Sequence, residues 1–430
     1  MSVSLSRIAA FDVLLKIFRD GAYSSILLPA AESKLNEKDR SLCHEIVLGV
    51  LRTKLKLDAA IDRFSGGKSL DLEVRTAAEL GLYQLLHLEK IPKYSAVNES
   101  VALVQRAKKS SAKGFVNALL RRSERLFEEI SYADELERLS VETSHPRWLV
   151  EKWVGQRGFE PAEALTKANN LRPRSAFRIT PKGIREGVVP SAGWQRSKYV
   201  PGCYFAERMT PGLRDVAANG RIYFQDEGSQ LVGSLVNLEP GSKFLDVSAA
   251  PGSKTTMIAS GAPSDTLIVA GDVRQSRVRV LKGNCEAQGV SIVRFVRHDA
   301  VATLPFADGE FDSVLLDAPC SGTGTIRSNP EIRYFLKPGD FRELHDKQLA
   351  ILQNASKTVR HGGRLIYSTC SLETEENEGV IVEFLSGNAD FEIRRPEIAG
   401  ELVTDNGFVR TLPEEHEMDG FFAAVLERRA

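Results

Sequence analysis

The sequence has few cysteines, and none of the spacings that would make them a metal site or a disulfide framework. Five cysteines and seven histidines are scattered among 430 residues. There is no CxxC pair and no cluster of cysteine with histidine. An odd number of dispersed cysteines argues against a disulfide-stabilised fold and against structural zinc. We therefore expect no metal and free thiols.

Long apolar runs are also missing. No run of about 18 apolar residues occurs, and the N-terminus lacks the charged-then-apolar pattern of a signal peptide. We expect no membrane span and a cytoplasmic location. The composition, 42% hydrophobic and 27% charged, is that of ordinary globular protein. A length of 430 residues predicts two or three domains.

Two common nucleotide-binding signatures are absent as well. The chain has no GxGxxG, and a P-loop would need glycines at the positions of Ser248 and Ser253. The run KFLDVSAAPGSKTT, residues 243–256, instead reads as a strand, a turn of small residues and a helix start. Gly252 can adopt a positive φ, and small side chains let a ligand approach the backbone. The unpaired N–H groups of the helix start favour a nucleotide-like cofactor there, with an ordinary strand–turn–helix as the alternative.

Charge is balanced overall but unevenly distributed. Residues 1–235 carry 36 basic and 28 acidic side chains, whereas residues 236–430 carry 21 and 29. A basic first half suits contact with a polyanion such as RNA. Chance variation of surface charge is the alternative.

The spacing of apolar residues changes along the chain and predicts the domains. Up to about residue 130 it is helical, as in Leu42–Leu51, which follows a predicted cap at Asn36. Short strand-like runs follow from about residue 170, and after 240 strands and helices alternate as in a doubly wound sheet. We predict a multidomain protein: an all-α bundle at 1–140, a linker helix with a small α+β subdomain at 141–235, and an α/β Rossmann-like domain at 236–430.

Acids mark the ends of predicted strands in the last domain. The predicted strands are 243–247, 266–272, 292–298, 311–317 and 363–369, and the predicted helices are 254–260, 275–288, 339–359 and 374–386. His361-Gly362-Gly363 predicts a helix end. Ligands of such sheets bind outside the carboxyl ends of the strands. The acids at these ends, each of which could alternatively cap a helix, are Asp246, Asp272, Asp299 and Asp317.

Two cysteines follow the last two of these strands. The run DAPCSGTG (317–324) contains Cys320, and the run STCS (368–371) contains Cys370. If the strands are adjacent and run the same way, both thiols reach one crevice although they are 50 positions apart. The three cysteines with apolar or helical neighbours, which we expect to be structural, are Cys43, Cys203 and Cys285.

Two segments of the first 130 residues resemble the NusB family of RNA-binding helical domains. They are LNEKDR (35–40) running into LGVLR (48–52), and YSAVNESV (94–101) with GFVNALLR (114–121). The resemblance implies contact with RNA or ribonucleoprotein. The cations that could touch phosphates, with plain solvation as the alternative, are Lys108, Lys109, Lys113, Arg121 and Arg122, and further along the chain Arg172, Arg174 and Arg178.

The run AAPGSKT (249–255), together with DAPCSGTG and STCS, resembles the RNA 5-methylcytosine methyltransferases. With the NusB-like part, nearly the whole chain is similar to the RsmB (Sun/Fmu) family, which methylates a cytosine of small-subunit (16S) ribosomal RNA. Ser253 departs from the family pattern, which usually has a second glycine there, and Ser248 stands where cysteine is common.

The resemblance implies S-adenosyl-L-methionine as the cofactor and gives each site residue a role. Cys370 adds to carbon 6 of cytosine, which makes carbon 5 electron-rich enough to accept a methyl group. Cys320 serves product release, and Asp317 holds the base. Exchange of the two cysteine roles is the alternative. The cofactor residues, of which Asp272 would take the ribose and Asp299 the adenine, are Ser248, Ala249, Ala250, Pro251, Gly252, Ser253, Lys254, Asp272, Asp299 and Asp317.

Other functions stay open from the sequence. The same chemistry could act on another RNA such as tRNA. A non-enzymatic RNA-binding protein would leave both thiols idle, and a small-molecule methyltransferase would not need a basic first half. The oligomeric state is not determined, and we expect a monomer.

Overall fold

A computed structural model describes residues 3–430. The chain divides into two compact units. The helical unit comprises the chain up to Leu171 together with Ser328–Pro338. The sheet unit comprises Arg172–Arg327 and Gly339–Ala430. The division at 171/172 falls inside the segment 141–235 that the sequence predicts as a domain.

The elements follow one another in an all-helical part and then a mixed part. The first ten helices are α1 (Leu5–Asp20), α2 (Ser24–Glu32), α3 (Glu37–Ser65), α4 (Leu72–His87), α5 (Lys93–Arg106), α6 (Lys113–Arg121), α7 (Ser123–Glu128), α8 (Glu135–Thr143), α9 (Arg147–Arg157) and α10 (Phe159–Ala168). The next elements are β1 (Ser175–Ile179), α11 (Pro181–Arg185), β2 (Trp194–Arg196), β3 (Cys203–Ala206), α12 (Pro211–Ala218), β4 (Ile222–Phe224), α13 (Glu227–Ser234), β5 (Lys243–Asp246), α14 (Ser253–Gly261), β6 (Leu267–Asp272), α15 (Gln275–Gln288), β7 (Val293–Arg297) and β8 (Phe311–Asp317). The last are α16 (Ile332–Phe335), α17 (Asp340–Lys357), β9 (Val359–Thr369), α18 (Glu378–Gly387), β10 (Phe391–Ile393), β11 (Val409–Arg410), α19 (Pro413–His416) and β12 (Phe422–Arg428).

The long helix α3 organises the core of the helical unit. Its predicted cap is confirmed, because the side chain of Asn36 accepts a hydrogen bond from the Asp39 backbone N–H at 3.0 Å. A Cβ on Gly49 would lie 1.8 Å from the Tyr83 ring, so a glycine is needed for α4 to pack this closely. Each aliphatic side chain buried along α3 stabilises the unit by about 2 kcal/mol. These side chains include Ile46, Val50, Leu51, Leu57 and Ile61.

The segment Ser328–Pro338 belongs to the helical unit although it follows the Cys320 run in sequence. Arg333 of this segment is fully buried. Its guanidinium donates to the carbonyl oxygens of Thr143 at 3.1 Å and Ser144 at 3.2 Å, and to the side-chain oxygen of Asn170 at 2.9 Å. These donations satisfy carbonyls at the end of α8 that its own helix leaves unpaired.

Two further side chains fasten the same segment. The Glu331 carboxylate accepts hydrogen bonds from the backbone N–H of Ser24 at 2.6 Å and from its hydroxyl at 3.1 Å. The Tyr334 hydroxyl donates to the carbonyl oxygen of Leu51 at 2.6 Å. The segment is therefore an integral part of the helical unit.

The sheet unit contains two sheets. The small sheet has the antiparallel order β2-β3-β1-β4. The large sheet has the order β10-β12-β9-β8-β5-β6-β7, in which β5 to β9 are parallel and β12 runs antiparallel beside β9. The chain order reverses between β5 and β8. Such a switch point opens a crevice at the carboxyl ends of the two strands.

The architecture confirms the predicted helical, small α+β and Rossmann-like parts, with two local errors in the last. His361-Gly362-Gly363 does not end a helix, since α17 already ends at Lys357 and these residues lie within β9. The helix predicted from 374 starts only at Glu378. The preceding residues form a turn because their side chains are hydrogen-bonded in a buried polar network.

One predicted RNA contact is wrong. Arg178 is 4% exposed, and its guanidinium donates to Gln225 at 3.0 Å, Thr256 at 2.7 Å and Gln288 at 2.9 Å. It connects the small sheet to α14 and α15 of the same unit, so it is not available to a phosphate. Sequence alone did not show this, because a cation beside other cations is usually solvated.

Arg333→Ala should lower the free energy of unfolding by about 3 kcal/mol, since several buried carbonyls lose their donor at once. Hydrogen exchange resolved by peptide should show faster exchange in residues 143–170, with β5 to β9 unchanged. The matched control is Arg147→Ala, which removes exposed ion pairs with Asp134 and Glu151 in the same unit and should cost less than about 1 kcal/mol. Equal effects of the two variants would contradict the structural role of Arg333.

Candidate active site

Carboxylates lie at the carboxyl edge of the parallel strands, as the sequence predicts. Asp246, Asp272 and Asp317 are the last residues of β5, β6 and β8. Asp299 follows the end of β7 by two residues and is exposed. Its carboxylate accepts a hydrogen bond from the Val301 backbone N–H at 3.0 Å, which shapes a local turn.

The predicted cofactor loop, residues 248–254, is held against the neighbouring strand and helix. The Ala249 N–H donates to the Gly271 carbonyl at 2.8 Å, next to the end of β6. Arg277 and Asn284 of α15 donate to the carbonyls of Ala250 at 2.5 Å and Pro251 at 2.8 Å. These bonds fix the backbone of the turn without help from its own side chains.

Gly252 ends this turn in the left-handed conformation that the sequence predicts, with φ +103°. A Cβ there would also lie 2.6 Å from a methyl carbon of Leu281. Any other residue would therefore be strained and would push α15 away. The position requires glycine for both reasons.

Asp246 shows that the site suits a polar ligand. Its carboxyl is 1% exposed, and one oxygen accepts from the Thr255 hydroxyl at 2.6 Å. The other oxygen, Oδ1, is buried without a hydrogen-bond partner in the protein. A buried acceptor is rarely left unpaired in a native state, so it fits a donor on a bound cofactor. Sequence reasoning noted this acid but did not assign it to the cofactor.

Burial also changes the ionisation of Asp246. Loss of solvation raises the pKa of this carboxyl to about 7, although the hydrogen bond from Thr255 acts in the opposite direction. The site therefore contains an acid that changes charge near neutral pH.

The two candidate thiols lie together. Cys320 follows β8 and Cys370 follows β9, and the Sγ atoms are 3.3 Å apart. The strands are adjacent and parallel, with Asp317 opposite Ser368. The expectation of one crevice for both thiols is thus confirmed. Both cysteines are partly exposed, whereas the three expected to be structural are buried: Cys43, Cys203 and Cys285.

A carboxylate and an ammonium lie in the same crevice. The Lys254 Nζ contacts Asp317 Oδ2 at 2.7 Å, and the Ser368 hydroxyl donates to Asp317 Oδ1 at 2.8 Å. Burial alone would lower the pKa of Lys254, but the charge of Asp317 outweighs it and the pKa is raised. Lys254, predicted within the cofactor group, therefore has its charged end beside Asp317. Its Nζ also lies 5.1 Å from the ring centroid of Phe421.

Cys320 is held as a neutral thiol. Its pKa is raised well above the ordinary value, first by the hydrogen bond with Cys370, then by burial and by the charges of Cys370, Glu376 and Asp317. These neighbours all favour the protonated form of Cys320.

Sequence reasoning missed Glu376, which lies behind the thiols and is fully buried. It stands in the acidic run ETEENE (373–378), which would normally be a solvated helix face. Nothing in the sequence around Cys320 and Cys370 indicated that Glu376 is buried behind the two thiols.

Neither a metal site nor a membrane span emerges from residues 3–430. No group of three or more His, Cys, Asp or Glu side chains in this range could hold a metal ion. Within the same range no helix is long and apolar enough to cross a membrane.

Asp246→Asn should change how stability depends on pH. The folded protein binds the Asp246 proton more tightly than the unfolded chain, so wild type should lose stability as pH rises from about 4 to about 7. The variant lacks this loss. The difference in free energy of unfolding between wild type and variant should therefore change by about 4 kcal/mol across that range. Urea unfolding without cofactor at several pH values measures it. A difference independent of pH would contradict the buried, protonated carboxyl.

Phenylarsine oxide, which binds two neighbouring thiols, should bind wild type at one equivalent. Cys320→Ala and Cys370→Ala should each abolish binding, because the reagent needs both Sγ atoms. Cys285→Ala, a buried thiol of the same unit, is the matched control and should bind as wild type does. Titration followed by intact mass spectrometry gives the stoichiometry, and binding retained by either single variant would contradict the pairing.

Known protein families match both parts of the chain. The family model described as 16S rRNA methyltransferase RsmB/F matches residues 234–427, and the NusB family model matches residues 4–125. Both resemblances drawn from the sequence motifs are confirmed.

Solved structures share the fold. PH0851 superposes with a TM-score of 0.82 at 25% identity, covering 100% of both chains. NSun6 from Pyrococcus horikoshii, crystallised with SFG, gives a TM-score of 0.55 at 22% identity over 66% of this chain and 98% of that one.

Curated relatives match over nearly their full length. The probable ribosomal RNA small subunit methyltransferase B of Bacillus subtilis is 32% identical over 98% of this chain and 98% of its own. Ribosomal RNA small subunit methyltransferase B of Pseudomonas syringae pv. tomato is 32% identical over 98% and 96%. On this similarity the chain belongs to the ribosomal RNA small subunit methyltransferase B family.

Proposed function

We propose that this enzyme, a small-subunit ribosomal RNA methyltransferase that uses S-adenosyl-L-methionine, methylates carbon 5 of a cytosine through a covalent adduct between Cys370 and carbon 6. The observation that supports this most is the pair of thiols 3.3 Å apart beside the ion pair of Lys254 and Asp317. Direct methyl transfer to an atom that is already nucleophilic would not need two thiols and a fixed carboxylate in one crevice.

Carbon 5 of cytosine is a weak nucleophile, so the enzyme must first increase its electron density. The Cys370 thiolate adds to carbon 6, which places the electron pair of the ring double bond on carbon 5 and the conjugated ring nitrogen. Lys254 lies close enough to interact electrostatically with Cys370. Its ammonium can therefore stabilise both the thiolate and the charge that moves onto the ring. Asp317, fixed by Lys254 and Ser368, holds the amino edge of the base.

Release needs a second group, and Cys320 suits it. The hydrogen bond with Cys370 is the largest cause of the raised pKa of Cys320. Once Cys370 is bonded to carbon 6, its charge is lost, and the pKa of Cys320 falls. Cys320 can then release its own proton to solvent and, as a thiolate, accept the proton from carbon 5. The electron pair of that C–H bond re-forms the ring double bond, and the C–S bond breaks with its pair returning to Cys370.

The residues at and after the ends of β5, β6 and β7 fit the cofactor. The loop from Ser248 to Lys254, with Asp272 and Asp299 at the neighbouring strand ends, would hold it, and the unpaired oxygen of Asp246 adds one acceptor to the predicted set. S-adenosyl-L-methionine supplies an electrophilic methyl group when bound. The fixed backbone of the loop keeps the cofactor side of the crevice in place while the thiols react.

The RNA is proposed to contact exposed cations as well as the crevice. Arg121 and Arg122 at the end of α6 are exposed and lie in the NusB-like part of the chain. Neutralising phosphates with such side chains would make binding salt-dependent. The target cytosine must be unpaired or flipped out to reach the thiols. Action in the cytoplasm, as a monomer, belongs to the same proposal.

Wild type, Cys320→Ala and Cys370→Ala should be incubated with ribosomal RNA and S-adenosyl-L-methionine and separated on denaturing gels. We expect a stable protein–RNA adduct only with Cys320→Ala, because attack occurs and release fails. Cys370→Ala should form no adduct and no methylated RNA. Cys43→Ala, a buried thiol of the helical unit, serves as control and should behave as wild type.

Two results would contradict this assignment. An adduct with Cys370→Ala in place of Cys320→Ala would reverse the two roles. Undiminished methylation by both variants would exclude the thiol mechanism. Where either variant forms an adduct, sequencing the RNA recovered from it names the target nucleotide.

A further inference from the structure

Each of the two thiols is followed in sequence by a serine, and both serines contact one carboxylate. Ser321 follows Cys320, and Ser371 follows Cys370. The hydroxyl oxygens of the serines are 3.1 Å apart, close to the 3.3 Å that separates the thiol sulfurs. Glu376, fully buried, lies behind both.

The Glu376 carboxylate accepts four hydrogen bonds. One oxygen accepts from the hydroxyls of Ser321 and Ser371, the latter at 2.6 Å. The other oxygen accepts from the Ser321 backbone N–H at 2.8 Å and from Gln348 Nε2 at 2.9 Å. Each of the four partners offers an N–H or O–H group to a carboxylate oxygen. The Glu376 carboxylate thus joins the two cysteine loops, next to two further links: the Gly324 N–H donates to the Cys370 carbonyl and the Leu372 N–H to the Thr323 hydroxyl, both at 2.9 Å.

The Cys320 loop depends on this carboxylate more than the Cys370 loop does. Cys370 directly follows β9, which is paired with β8 on one side and β12 on the other. Cys320 lies three residues beyond the end of β8, in a stretch without regular structure. Both the backbone N–H and the side chain of the next residue, Ser321, are bound to Glu376. Loss of the carboxylate should therefore displace Cys320 more than Cys370.

We propose that Glu376 is a positioning residue for the release step: it holds the Cys320 loop against the Cys370 loop so that Cys320 can act on the adduct. The inference rests on the thiol roles proposed above. Attack on carbon 6 needs Cys370 alone, whereas release needs both thiols at their mutual distance. Loosening the Cys320 loop therefore slows the second step more than the first, and the covalent intermediate accumulates.

The test uses variants that weaken the hydrogen bonds of Glu376 to the Cys320 loop without leaving a cavity in place of the side chain. Glu376→Gln keeps the size of the side chain but replaces one acceptor by an NH₂ group, which then faces donors. Ser321→Ala is the milder second variant and removes a single hydroxyl. The matched control is Glu227→Gln. Glu227 is also buried in the sheet unit and accepts from a serine hydroxyl, but that serine is Ser197 and not one of the two that follow the thiols.

Each variant is incubated with ribosomal RNA and S-adenosyl-L-methionine, and the adduct fraction on denaturing gels is compared with the rate of methylated product. We expect turnover about tenfold slower in Ser321→Ala and slower still in Glu376→Gln, with the adduct enriched in both. Binding of S-adenosyl-L-methionine should stay within about twofold of wild type, which reports an intact fold. Glu227→Gln should show no adduct.

A general loss of folding would lower adduct, product and cofactor binding together, so it differs from the expected pattern. Loss of turnover without adduct in Ser321→Ala, with cofactor binding retained, would overturn the role of Glu376. Cys320→Ala is run alongside: if it also forms no adduct, the proposed thiol roles themselves are wrong. If Cys320→Ala forms the adduct but neither Glu376→Gln nor Ser321→Ala does, only the inference about Glu376 fails.

Discussion

The parallel pairing of β8 with β9 is the constraint on which the active site depends. Asp317 and Ser368 are opposite one another in that ladder, and the chain leaves both strands at the same edge of the sheet. Two thiols separated by 50 positions in sequence are therefore brought to 3.3 Å. A shift of one residue in the register would turn the side chains of one strand to the other face. The apolar packing of these strands, with Leu315 in one core and Val314 in the other, is thus a condition for the proposed chemistry.

Buried titratable groups are the second element of the site, and each has a specific hydrogen-bond or ion-pair partner. Lys254 is paired with Asp317, Glu376 with four donors, and Asp246 with one hydroxyl, leaving one oxygen unpaired. Burying a polar or charged group without a partner is costly, so these partners are needed for the groups to remain buried. The first two fix the thiol crevice, and the third fits a cofactor donor. The charges of Glu376 and Asp317 are also among the causes that raise the pKa of Cys320.

Much of this arrangement could be predicted from the sequence because it depends on local patterns. Strands with acids at their ends, the glycine at 252 and the two cysteine runs all carry signals that extend over a few residues. What the sequence did not show depends on contacts between distant segments. Glu376 lies in a charged run, Arg178 beside other arginines, and Arg333 after the Cys320 run, and all three are buried by partners far away in sequence. The true end of α17 was missed for a related reason, since the glycines at 362 and 363 are accommodated inside β9.

The central claim is that the thiols serve methylation at carbon 5 of cytosine, and the fate of the hydrogen on that carbon tests it most directly. Ribosomal RNA carrying tritium at carbon 5 of its cytosines should be methylated with unlabelled S-adenosyl-L-methionine by the wild-type enzyme. The account predicts one tritium released to water for each methyl group transferred, because that hydrogen must leave before the C–S bond breaks. Methyl transfer with the tritium retained in the RNA would place the reaction at another atom and contradict the account.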